Sequence, residues 1–227
     1  MGIDLKNTKG KAVLFSEMTP PAGRENDFND WYDGHHTPSH VQGVPGFMSA
    51  MRYKSSKGPH YLAVYELSGP EALDHKEYKK RKLTPDDPTY KMLKTVSGFT
   101  RYIGVERFFK ARREPLVKVM DASVVFCAFS AIPIEAHGEF ENWFDKEQVS
   151  MLLDCPGWLM SRRFEIVEYD PEPYTHLTIH YLEDESVLDS AVFKKARDTD
   201  WEGKLSKENW FQPHLVNYRR RNTRFLK

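Results

Sequence analysis

The chain has 227 residues, 40% hydrophobic and 29% charged, with 33 basic residues balanced by 33 acidic ones. This is an ordinary globular composition, long enough to bury a substantial core in one large domain or two modest ones. A formal net charge of zero argues against a chain built mainly to hold nucleic acid or an anionic membrane.

The opening stretch MGIDLKNTKGKAVLF has no signal-peptide core, and no apolar run approaches membrane-spanning length, so a cytoplasmic location is expected. A first strand is predicted at KAVLFSEM, followed by an amphipathic helix that should end or kink at Pro38, where proline cannot donate to the carbonyl of Gly34. Pro45-Gly46 opens a second strand, YLAVYEL forms a third, and helical material follows. LTPDDPTY interrupts that second helical region before a closing strand, FTRYIGVERFF. The segment FKARREPLVK suits a short linker. Beyond it the same series recurs: ASVVFCAFSAI, a helix, Pro156-Gly157, HLTIHYL, more helix, and NWFQPHLVNYR. The basic tail NYRRRNTRFLK reads as a solvated end in preference to a phosphate-binding patch. Cys127 lies in an apolar run and Cys155 before a turn, without paired metal-ligand spacing or any need for an oxidising compartment.

The recurrence extends to individual residues. Phe28, Trp31, Tyr32 and Asp33 match Phe140, Trp143, Phe144 and Asp145, and with one residue of slippage Pro45-Gly46 matches Pro156-Gly157. Phe47 then matches Trp158, and Arg52 matches Arg163. Its persistence across about a hundred residues indicates an internal duplication, with repeats at 1–112 and 113–227. Each repeat reads as a βαββαβ, ferredoxin-like unit. The expected fold is therefore α+β: two tandem repeats whose antiparallel sheets pack face to face as an intramolecular dimeric α/β barrel enclosing a ligand cavity. A monomer with this internal pseudo-dimer and a further homodimer are both compatible with the sequence.

The first predicted helix carries His35, His36 and, just beyond, His40. At about 100° per residue from Phe28, His35 falls near 340°, in the middle of the apolar stripe, and His36 near 80°, at its edge. In the second repeat the matching positions are Glu147 and Gln148. Loss of the imidazoles while the core aromatics persist favours a site in the first repeat over a merely polar helix end, with the second repeat completing the barrel. His36 and His40 have the i, i+4 spacing that can grip a metal, but Pro38 lies between them and no Glu or Cys completes the set, so no metal is expected.

Trp31-Tyr32, Asp33-Gly34, His36-Thr37-Pro38 and Val44-Pro45-Gly46-Phe47 together resemble the EthD-like branch of the dimeric α/β-barrel superfamily. The resemblance makes His36, not His35, the family histidine. It implies small-molecule chemistry on aromatic or polyketide-like compounds without choosing the reaction, since relatives include cofactor-independent decarboxylases, dehydratases, cyclases, isomerases and small monooxygenases, and others bind haem.

The expected function is cofactor-independent acid–base chemistry of lyase or isomerase type. His36 moves the proton, His35 or His40 assists, and Tyr32 orients the imidazole or a substrate oxygen. Tyr65 shares a strand face with Tyr61 and Ala63 and is placed in the same cavity. Trp31, Phe47 and Phe28 are candidate apolar walls, with plain core packing the competing reading for each. Arg52, recurring as Arg163, fits a structural role. The rival class is a non-catalytic barrel for a hydrophobic metabolite or haem, with an axial histidine from the cluster. A nucleotide is not expected, because no Gly-rich phosphate loop is present.

Overall fold

The computed structural model of the protein describes residues 8–112 and 116–227. The chain divides into two compact units. Unit 1 holds the described residues up to Val105 together with Val167–Pro171 and Arg221–Lys227, and unit 2 holds Glu106–Ile166 and Glu172–Arg220. Two of the four divisions fall inside long strands. Of the expected linker at 109–118, residues 113–115 lie outside the described residues, as do the first seven residues of the chain.

In unit 1 the strands are β1 (Ala12–Thr19), β2 (Phe47–Ser55), β3 (Tyr61–Leu67) and β4 (Ser97–Ala111), the last as far as Val105. All pair antiparallel in the order β4-β1-β3-β2, with Ala12 opposite both Leu67 and Val105 and Arg52 opposite Ala63. Helices α1 (Glu25–Trp31) and α2 (Thr37–Gly43) connect β1 to β2, and α3 (Lys76–Leu83) and α4 (Pro88–Leu93) connect β3 to β4. This is the ferredoxin-like βαββαβ order. Phe28, Trp31, Tyr32 and Val41 of the first helical segment pack on Leu14, Ala50 and Tyr65 of the sheet. The burial of each large apolar side chain stabilises the unit by about 1.5–3 kcal/mol.

Unit 2 repeats this order with β5 (Val124–Ser130), β6 (Trp158–Asp170), β7 (His176–Leu182) and β8 (His214–Arg220). The strands run β8-β5-β7-β6, again antiparallel, with Val124 opposite Leu182 and Arg219, and Arg163 opposite Thr178. Helix α5 (Leu116–Met120) precedes β5, α6 (His137–Trp143) and α7 (Val149–Asp154) join β5 to β6, and α8 (Ala191–Ala196) and α9 (Asp200–Leu205) join β7 to β8. The fold is α+β, as expected from the pattern of elements. Both cysteines are buried, and they form no disulfide.

The two Pro-Gly pairs make the same turn. Phe47 N–H donates to the Val44 carbonyl and Trp158 N–H to the Cys155 carbonyl, closing four-residue turns. Gly46 and Gly157 sit at their third positions with φ of 87° and 84°. That left-handed conformation is what a type II turn requires there, and glycine adopts it without steric cost.

One expectation is refined and one corrected. The basic tail is largely exposed, as expected, but it is not loose: β9 (Phe225–Leu226) pairs with β2, Ser49 opposite Leu226, and Asn222 donates to Asp33. The first helix does not end at Pro38. It passes through a π-helical turn at Tyr32–His36 and continues as α2, with Pro38 in its first turn.

Candidate functional site

The π turn decides which side chains reach the interior. Thr37 N–H donates to the Tyr32 carbonyl, five residues back, and in unit 2 Val149 N–H donates to the Phe144 carbonyl in the same way. Unit 2 has Ser150 where unit 1 has Pro38, so proline is not the cause. One extra residue in the turn sets every later side chain back by roughly 100° relative to an α-helical projection. His36 thereby takes the position near 340° that α-helical winding projects for His35, and His35 moves back to about 240°, off the apolar stripe. His36 is buried, whereas the His35 side chain is 38% exposed, with its Nε2 3.8 Å from Asp87.

His36 sits in an aromatic box. Its ring lies 4.4 Å from Trp31, 4.8 Å from Tyr32 and 4.3 Å from His40 between centroids, with Tyr65 at 6.5 Å. Its Nδ1 is 3.3 Å from the Thr89 hydroxyl. Thr89 is held there by its helix start: the Asp87 carboxylate accepts from Thr89 N–H at 2.7 Å, capping α4 at Pro88. The interrupted stretch LTPDDPTY thus places a hydroxyl against the imidazole. His40 Nδ1 donates to the His36 carbonyl at 2.7 Å, which fixes that ring's orientation.

Above this box lies a cavity with about 370 Å³ of empty space, open solvent at its mouth included. Tyr32, His36, His40 and Tyr65 line it, as do Tyr78 and Arg101. Of the sequence candidates, Trp31, Phe28 and Phe47 are buried in the packing behind it, and His35 stands apart. Thr89, Tyr78 and Arg101 were missed. Tyr78 and Thr89 lie on the connection between β3 and β4, whose contact with the first helix has no signal in local periodicity.

Among the described residues the hydroxyls of Tyr32 and Tyr65 are buried with no hydrogen-bond partner. They are close enough to influence each other's ionisation without meeting hydrogen-bond geometry. Burial pushes Tyr32 up to about 12, opposed by the Arg52 guanidinium 4.1 Å from its ring centroid. Burial and the neighbouring Tyr32 hold Tyr65 well above the usual phenol range. Both are therefore O–H donors at neutral pH.

Arg52 is fully buried and donates to Asp33 at 2.5 Å and Asn29 at 2.9 Å, tying β2 to the first helical segment. Arg163 does the same in unit 2 through Glu141 and Asp145. Its recurrence matches the structural role read from the sequence.

Among the described residues no group of three or more His, Cys, Asp or Glu side chains is placed to hold a metal ion. For haem, His40 has the backbone anchor of an axial ligand. The 370 Å³, however, counts all the space between the lining atoms out to solvent, and the part that a water-sized sphere can enter is about 30 Å³, well below the ~300–1,000 Å³ typical of small-molecule sites. There is no room for a porphyrin, and a fused-ring ligand would enter only with movement of the lining. Haem does not fit these residues as they are packed.

Unit 2 has its own cavity at the corresponding place, with about 520 Å³ of empty space by the same measure. It was read from sequence as stripped of its histidine. Instead an imidazole enters from the strand: His180 occupies the position matching Tyr65 and lines this cavity with Gln148. Burial, with Arg197 adding to it, pushes His180 down to about 3, and burial with His137 and Arg163 pushes His176 down to about 4. Native neutral histidines resist protonation while unfolded ones titrate near 6.5, so stability is full above that pH. It falls as pH drops from about 6.5 towards about 3, by up to about 1.4 kcal/mol per pH unit per proton. Urea unfolding at pH 7, 6, 5 and 4 should show this slope, and His180→Phe should flatten it.

No protein-family model matches the chain, and no curated protein sequence matches it. Its fold does match solved structures. An anthrone oxidase-like protein is 11% identical, with a TM-score of 0.66, covering 95% of this chain and 93% of that one. A putative monooxygenase from Lactobacillus acidophilus is 9% identical with a TM-score of 0.58 and coverages of 95% and 96%. An uncharacterised ferredoxin fold protein from Listeria monocytogenes, related to antibiotic biosynthesis monooxygenases, is 10% identical with a TM-score of 0.50 and coverages of 97% and 100%. What is shared is the fold. No helix among the described residues is long and apolar enough to cross a membrane.

Proposed function

We propose that unit 1 is a small-molecule enzyme site in which His36 moves a proton on an aromatic, enolisable compound. The observation that carries this reading is the pair of buried, unpartnered phenol hydroxyls beside a buried imidazole in one cavity. His36 takes a proton from an acidic C–H next to a carbonyl. The C–H electron pair passes to the carbonyl oxygen, and the resulting enolate is received by the O–H groups of Tyr32 and Tyr65. Oriented donors of this kind, in a water-poor site, are worth about 10²–10³-fold each. Return of the proton elsewhere on the carbon skeleton completes an isomerisation, and loss of a leaving group completes a lyase reaction. His40 holds the helix end and the ring beside His36.

Membership of the EthD-like branch and origin by tandem duplication are part of this proposal, supported by the matched aromatics and the matched π and Pro-Gly turns. Two buried cysteines that form no disulfide suit a reducing, cytoplasmic compartment. The solved neighbours described as anthrone oxidase-like and monooxygenase suggest the probe, a fused-ring ketone.

The test is deuterium uptake into the acidic methylene of anthrone in D₂O under anaerobic conditions, read by mass spectrometry. Acceleration over buffer, saturable in anthrone, is expected. Saturable binding without acceleration would make the cavity a binding module instead.

A further inference from the structure

Four polar residues of unit 2 line its cavity. Trp143, Gln148 and Glu202 are each about 95% buried, and among the described residues Trp143 Nε1, Gln148 Oε1 and Glu202 Oε2 have no hydrogen-bond partner. His180 is the fourth. Trp158 Nε1 donates to Ser161 Oγ at 2.9 Å, and Ser161 Oγ lies 2.8 Å from His180 Nδ1. In the tautomer in which Ser161 Oγ–H donates to Nδ1, His180 carries its own proton on Nε2. The cavity presents the Trp143 N–H donor and two oxygen acceptors, with His180 Nε2–H a second donor in that tautomer, while its remaining lining is largely aromatic, with Phe126, Phe144 and Phe193 among it.

Buried polar atoms left unsatisfied are costly and uncommon, and several converging on one cavity imply a partner that satisfies them. We propose that unit 2 holds a second small-molecule site, for a flat aromatic molecule bearing a hydroxyl group. A hydroxyl both donates and accepts. It can give its hydrogen to Gln148 Oε1 or Glu202 Oε2 while taking one from Trp143 Nε1 or His180 Nε2, and the rings fill the apolar remainder. Glu202 is held in place through its other oxygen by Arg197. Its backbone N–H is capped by Thr199, so the acceptor is preorganised. This site is one of binding and does not rest on the chemistry assigned to unit 1.

The test compares 2-naphthol with 2-methylnaphthalene, which has the same rings but no hydroxyl, by tryptophan fluorescence on the full chain. The wild type should bind 2-naphthol at least about tenfold more tightly, the equivalent of one buried hydrogen bond. Gln148→Leu should reduce that preference, Glu202 Oε2 remaining as the other acceptor, while melting no lower than the wild type, because it replaces an unsatisfied amide oxygen with an apolar group. Trp143→Phe, which deletes one donor and keeps the packing, should weaken 2-naphthol binding in the same direction. Equal affinity for the two probes overturns the proposal. So does a 2-naphthol preference that neither substitution reduces.

Discussion

Turnover is expected to fall by about 10²–10⁴-fold when His36 is replaced by glutamine, the range spanned by positioned acid–base groups. Glutamine is the informative choice because Gln148 already occupies the matching place in unit 2. It is buried there, inside the same π turn. The fold therefore accepts that side chain, and loss of activity cannot be ascribed to collapse of the helix. The check is kcat/KM for deuterium exchange on anthrone, with the melting temperature measured on the same sample. Activity within a few-fold of wild type would remove His36 from proton transfer. A companion Tyr65→Phe should lower kcat without deleting ring contacts, because it removes one of the donors offered to the enolate oxygen.

Asp33→Ala should destabilise the protein by about 3–5 kcal/mol, measured by urea or thermal unfolding. The Arg52 guanidinium is wholly buried, and Asp33 is its only carboxylate partner among the described residues, Asn29 giving a neutral acceptor. Removing Asp33 leaves a buried cation without an anion. The reverse change is milder. Asp33 is 31% exposed and keeps Arg221 and Asn222 as neighbours, so Arg52→Met leaves its charge partly hydrated and paired. A loss for Asp33→Ala no larger than that for Arg52→Met would show that the buried charge is not what this contact supports.

Much of this architecture is legible from local signals. Pro45-Gly46 and Pro156-Gly157 announce turns because proline fixes one dihedral and glycine frees the next. Trp31-Tyr32 and Trp143-Phe144 mark one helix face in each unit because helical spacing repeats their burial. The histidine assignment from periodicity failed because a projection at 3.6 residues per turn assumes uniform winding, and the π turn breaks it just at His35 and His36. The motif resemblance, which pointed to His36, did not depend on winding. Thr89 escaped notice because its contact with His36 spans 53 residues, and no local pattern reports a contact that distant. His180 was visible in principle, since the strand correspondence sets it against Tyr65. Searching only the helix for imidazole hid it.

The π turn has an evolutionary consequence. The extra residue is absorbed inside the turn, so every side chain beyond it keeps the facing it would have in an α-helix one residue shorter. A one-codon deletion between Trp31 and Gly34 that closes the turn to α winding would therefore leave His36 facing the cavity. Descendants of such a helix can gain or lose a residue there without changing their inward-facing chemistry. Comparing them column by column would register a gap where the function had been kept.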